Sequence, residues 1–184
     1  MKNISMSFRK GFTLIELMVA VSVFAIVMML ASGAYLVMLD TSQRAQASAT
    51  GIDNLAFALT AMTRTIRTGT QYNCNTPSGG DCSSGASLYL TDQNGDKIEY
   101  SLPSSSGTIY ESINGGTPIP LTEPSVQVTN LTFVVNGTAT TTGANIDTVQ
   151  PYVFITVSGN TSAGPGNLVP FAVQTSAVMR GTDL

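Results

Sequence analysis

The chain lacks histidine and tryptophan altogether. Without histidine, Ser-His-Asp and Cys-His catalytic arrangements are excluded. No P-loop or dinucleotide fingerprint appears either. The carboxylates carry no acid/base signature, so the sequence points away from an enzyme and asks for no cofactor. Charge is scarce: Asp, Glu, Lys and Arg together make up 10% of 184 residues, and the formal net charge is −3. Three of the eight basic residues (Lys2, Arg9 and Lys10) sit at the extreme N-terminus, and no acid sits among them. The rest of the chain therefore stands at −6 with five basic residues. Such a body is a poor nucleic-acid binder by charge. Proline is absent from Phe12 to Thr68, and cysteine occurs only at positions 74 and 82. No internal repeat and no second globular domain is apparent.

Against these absences stands one long apolar run. From Leu17 to Leu39 no residue is charged. A helix crosses a hydrocarbon core in about 20 apolar residues. Just inside the start of the run lies a lone carboxylate, Glu16. A charge at the centre of a membrane helix costs roughly 2.5–3.5 kcal/mol on insertion scales, and less near an interface, so a carboxylate there calls for a partner. The basic residues before the run predict a cytoplasmic N-terminus and an extracytoplasmic C-terminus. A plain signal anchor leaves Glu16 unexplained. An ordinary secretory signal could find a small-residue site in Ala31-Ser32-Gly33-Ala34, but the apolar run is longer than the usual 7–15 residues.

The stretch Gly11-Phe12-Thr13-Leu14-Ile15-Glu16, with Lys10 before it, resembles the processing site of type IV prepilins and of type II secretion pseudopilins. The resemblance covers about the first forty residues. It implies a leader over residues 1–11, cleavage between Gly11 and Phe12 by a membrane aspartyl (prepilin) peptidase, and N-methylation of Phe12. It also implies that Glu16 neutralises the N-terminal amine of a neighbouring subunit during assembly. Two costly charges then become one pair, and a single axial stagger brings them together. The partners implied are other pilin or pseudopilin subunits, the peptidase, an inner-membrane assembly platform, a cytoplasmic ATPase and membrane lipid. The implied location is the bacterial inner membrane, single-pass with the C-terminus outside, and then a filament. Many type IV pilins carry a proline near the position of Gly33, and this chain does not.

The expected layout is α+β. One proline-free helix should run from Phe12 to about Thr68, with residues 12–39 as its membrane or filament-core half and 40–184 as an extracytoplasmic head. At 1.5 Å per residue that helix is about 85 Å long. In its second half, Ile52, Leu55, Leu59, Met62 and Ile66 form one stripe suited to packing on a sheet. Gly33 and Gly51 are its weak points. The sheet should occupy residues 86–180. Gly69 to Gly85 reads as a turn-rich loop whose cysteines, Cys74 and Cys82, pair as a disulfide in an oxidising compartment.

Leu88-Tyr89-Leu90 and Ile98-Glu99-Tyr100 flank an Asn-Gly turn at 92–96, a strong hairpin signal. Asp92, Asn94 and Asp96 also repeat the start of a calcium loop, without its closing glutamate. Further strands are expected over 108–113, 126–135, 152–157 and 170–179. In the second, Leu131, Phe133 and Val135 share a face; in the last, Phe171, Val173, Ala177 and Met179 do. Residues 136–148 read as a low-complexity loop. Pro120-Leu121-Thr122 and the closing Arg180-Gly181 resemble J-type pseudopilins and W-type minor pilins, which implies a minor, tip-located structural subunit. A reading of a different class is a monomeric, membrane-anchored binding or adhesin domain, for which Glu16 would be dispensable.

Overall fold

The computed structural model describes residues 11–76, 80–138, 149–164 and 166–180. The leader, apart from Gly11, and the loop residues 139–148 lie outside that set. The chain divides into two compact units, residues 1–42 and 43–184. Helix α1 (Leu14–Thr68) supplies the described part of the first and the opening element of the second.

In the first unit every residue from Gly11 to Leu39 is exposed, apolar side chains included. Three hydroxyls of this unit are bonded within the helix. The hydroxyls of Ser22, Ser32 and Thr41 donate to the carbonyls of Met18, Met28 and Val37 at 2.8, 2.8 and 2.9 Å. Hydroxyls bonded back to the preceding turn present little unsatisfied polarity, which a hydrocarbon environment requires. Among the described residues α1 is the helix long and apolar enough to cross a membrane.

The second unit is α+β, as expected, but it holds two antiparallel sheets rather than one. The first has the order β1 (Thr70–Cys74), β3 (Ser87–Thr91), β4 (Lys97–Ser101), β5 (Tyr110–Ile113), β6 (Ile119–Pro120). The second has the order β2 (Cys82–Gly85), β7 (Val126–Asn136), β8 (Tyr152–Ser162), β9 (Leu168–Val178). The expected β3–β4 hairpin is present, with Leu90 opposite Ile98 and Leu88 opposite Tyr100. All four of those side chains are buried, which fixes the register by the alternation of the strands.

The core joins both sheets to the helix. Leu55, Leu59, Met62 and Ile66 are buried against Tyr72, Leu88, Tyr100, Phe133, Ile155 and Val157. Full burial of each such aliphatic or aromatic side chain contributes about 1.5–3 kcal/mol. Ile52, placed on the same stripe by spacing, is instead 48% exposed. Its place against the sheet is taken by Gly51 and Ala58. Gly51 is no weak point: a side chain there would run into Thr161 of β8, so the absent Cβ is what lets helix and sheet meet.

The boundaries shift for readable reasons. Residues 69–85, expected as loop, contain β1 and β2. The strand expected to stop at Val157 runs on through Gly159 to Ser162. It does so because a Cβ at Gly159 would strike the Gln127 carbonyl, beside the bulge between Val128 and Asn130. β9 likewise starts at Leu168 and carries Pro170 inside it, which an edge strand tolerates. The helix terminus is closed by its neighbours. The Tyr72 hydroxyl donates to the Ile66 carbonyl at 2.6 Å, and the Arg180 N–H donates to the Arg67 carbonyl at 2.8 Å. These bonds satisfy carbonyls that a helix end leaves open.

Candidate functional site

Gly11, Phe12 and Thr13 lie outside the helix, fully accessible, and the Phe12 ring is 84% exposed. Helix α1 starts immediately after them because Thr13 caps it. The Thr13 hydroxyl accepts the N–H of Glu16 at 3.3 Å, and the Thr13 carbonyl accepts the N–H of Leu17 at 3.2 Å. The Thr13-Leu-Ile-Glu16 spacing is that of a capping box. Reading it so would have identified Thr13 as part of the site, a residue the sequence reading passed over. Glu16 thereby sits in the first helical turn. A negative charge is favoured there by the helix dipole, by about 0.3–1 kcal/mol at an exposed site.

Phe12, Glu16, Ala20 and Phe24 recur at every fourth residue and line one shallow groove on α1, with Leu17 and Val21 beside them. Two aromatic rings frame a small side chain and a carboxylate. This surface can seat a neighbouring helix, with Ala20 permitting close approach and Glu16 accepting a cation. The Gly11–Phe12 peptide precedes the helix and stands outside its hydrogen-bonded turns.

The other singled-out residues lie in the head. Cys74 and Cys82 form a disulfide with Cα atoms 6.1 Å apart. It links β1 of the first sheet to β2 of the second, and a link across so short a loop contributes about 2–3 kcal/mol in the chain-entropy account. Asp92, Asn94 and Asp96 form an Asx-type turn. Asp92 Oδ1 accepts the N–H groups of Asn94 and Asp96 at 2.8 and 2.9 Å, and its Oδ2 accepts Asn94 Nδ2 at 3.0 Å. Slight desolvation opposes ionisation, but these donors win and hold the Asp92 carboxyl below its ordinary value. Asp96 Oδ1 is in turn held by Asn114 Nδ2 at 2.7 Å. Among the described residues no group of three or more His, Cys, Asp or Glu side chains is arranged to hold a metal ion.

Asp81, beside the disulfide, was not singled out. Its Oδ1 accepts both the N–H and the hydroxyl of Thr138 at 2.8 Å, a contact that nothing in the local pattern signals.

Residues 6–32 match the sequence family described as the prokaryotic N-terminal methylation motif. No curated protein and no solved structure matches the chain. The N-terminal segment is thus of type IV prepilin-like kind, and the match spans the cap, the groove and the first half of the apolar helix.

Proposed function

We propose that this chain is a structural subunit of a pilus-like filament, of the type IV pilus or type II secretion class. On this reading prepilin peptidase cuts between Gly11 and Phe12, the new Phe12 amine is methylated, and the apolar half of α1 enters the fibre core. Until then that half resides in the bacterial inner membrane, with the head outside. The observation that carries the reading is the carboxylate of Glu16. It sits in the first turn of a helix with no other charge up to Leu39, and the chain leaves the apolar surface of that stretch uncovered. An N-terminal ammonium on an adjacent, axially shifted helix satisfies that charge, and the groove of Phe12, Ala20 and Phe24 receives the helix bearing it.

The test is mass spectrometry of the N-terminus of membrane-extracted protein, followed by filament incorporation of Glu16→Ala. The expected result is a methylated Phe12 in both chains, with incorporation lost in the variant. An unprocessed Met1, or a cut between Ala31 and Ala34, overturns the reading. A processed Glu16→Ala chain that incorporates normally leaves a monomeric anchored binding domain as the better account.

A further inference from the structure

Residues 43–184 hold five basic side chains against nine acidic ones, and three of the five share one depression. Arg64 and Arg67 from the end of α1, and Arg180 after β9, line a groove of about 590 Å³. Ligand sites run from about 300 to 1,000 Å³. All three arginines are exposed. Among the described residues none of their guanidiniums is in an ion pair. The acid on the groove wall, Asp92, accepts hydrogen bonds from its own turn with both oxygens. Helix-dipole compensation accounts for basic residues in a last turn. It does not account for Arg180, which comes from a different element and whose N–H donates to the Arg67 carbonyl at 2.8 Å. Like charges three apart on a helix also repel each other. An acidic head that gathers its cations in one groove presents a site for an anion.

The lining decides which kind of anion. Among the described residues no aromatic side chain borders the groove, so it has no platform on which a nucleobase stacks. Three cations in an acidic head also fall short of the basic face that a phosphate backbone selects. The rest of the rim is hydroxyl and amide. Thr60 and Gln93 are exposed, and neither side chain has a partner among the described residues. Hydroxyls and amides both donate and accept, which matches the hydroxyls of a sugar ring. Guanidinium forks match planar carboxylates with two parallel hydrogen bonds. Arg64 and Arg67 are three residues apart, about 4.5 Å along the helix axis. That step is comparable to one pyranose unit, so consecutive units of a sugar-acid polymer can each meet a guanidinium.

We infer that the Arg64–Arg67–Arg180 groove binds an acidic polysaccharide whose sugar units carry carboxylates. The three guanidiniums hold the carboxylates, and Thr60 and Gln93 hold ring hydroxyls. The site belongs to the head and involves neither Glu16 nor the N-terminal motif. Binding therefore needs no filament, and the filament reading stands or falls without it.

The experiment is isothermal titration calorimetry on the full-length chain in nonionic detergent at low ionic strength. The probes are tetragalacturonate, neutral maltotetraose, a thymidylate oligonucleotide and inorganic phosphate. Tetragalacturonate should bind, and the other three should bind roughly tenfold more weakly or not at all. Arg64→Gln and Arg180→Gln should each weaken binding about tenfold at an unchanged thermal midpoint. Added salt should weaken it too, because exposed charges are screened. Lys97→Gln, outside the groove, should leave it unchanged. Absence of tetragalacturonate binding overturns the inference, and so does binding that both arginine variants retain. An equal loss in Lys97→Gln also overturns it, since that marks general charge attraction. Oligonucleotide or phosphate binding as tight as that of tetragalacturonate overturns it and assigns the groove to phosphate. Asp183, three residues past Arg180, lies outside the described residues. Binding seen only in Asp183→Asn overturns the inference and assigns the groove to the chain's own C-terminal segment.

Discussion

The two halves of α1 obey the same helical chemistry and end in opposite environments. From Phe12 to Leu39 every side chain is exposed, although most are apolar. Beyond Gly51 a stripe of Leu55, Leu59, Met62 and Ile66 is nearly inaccessible, covered by two sheets of the same chain. The second half closes its own hydrophobic surface, so its function is stability of the head. The first half leaves that surface open within the chain. Contiguous exposed apolar patches larger than a few hundred Å² are rare on monomeric soluble proteins and mark interaction sites.

The sharpest way to probe this contrast is to truncate one methionine in each half. Met62 is wholly buried, and Met62→Ala should lower the stability of the head by about 2–5 kcal/mol, through lost transfer energy and a residual cavity. Met28 is 50% exposed, and Met28→Ala should leave the thermal midpoint of the head unchanged. Thermal unfolding followed by far-UV circular dichroism in detergent reads both. Equal losses at the two positions would mean that the first half packs on the head.

The glycines repeat the comparison at smaller amplitude. An alanine in place of glycine in a helix gains about 0.5–1 kcal/mol where nothing opposes it. At Gly33 nothing lies within 4 Å of a new Cβ. Gly33→Ala should not move the midpoint of the head, since that helix segment is no part of its core. At Gly51 the new methyl meets the side chain of Thr161, whose own Cβ is only 3.0 Å away, so a rotamer change does not clear it. Overpacking costs about 1–3 kcal/mol. Gly51→Ala should therefore destabilise on balance, by about 1–2 kcal/mol after the helix gain. Gly51→Ala combined with Thr161→Ser should recover part of the loss, which would tie the effect to this contact.

Much of the layout was legible in the sequence, for reasons that differ by element. The helix is readable because its charges are few and proline is missing from it. The β3–β4 hairpin is readable because Asn94-Gly95 sits between alternating strands, and Gly95 indeed has φ of 90°. The N-terminal motif is readable because it is one contiguous stretch, and its Thr13 caps the helix that it begins. What was not legible depends on distant packing. Gly51 looks like a defect until Thr161 is placed against it. Gly159 with Asn160 and Thr161 looks like a loop, because only the close approach of Gln127 requires a glycine inside β8. β1 and β2 hide among turn residues, since each is short and is completed by a partner from elsewhere, β3 and β7. The division into two sheets follows from those pairings and from no local signal. The meeting of Arg64, Arg67 and Arg180 around one groove is of the same kind: Arg180 lies far from the other two in sequence and reaches them only because β9 ends against the last turn of α1.

The smallest expected effect is a pH dependence confined to the head. Burial opposes ionisation of Asp81, but the hydrogen bonds from the N–H and hydroxyl of Thr138 and from the Gly137 N–H prevail, and its carboxyl is held below the ordinary value of 3.8. A carboxyl with a folded value below its unfolded one contributes stability above the unfolded value, and the contribution is lost as pH falls through the folded one. Wild type and Asp81→Asn should therefore differ most above about pH 4 and converge below it. Since Asp81 is largely exposed, solvent screening keeps the difference under about 1 kcal/mol. Urea unfolding at pH 7 and pH 3 gives the two gaps directly. A gap that persists at pH 3 would mean that Asp81 holds Thr138 by shape and not by charge.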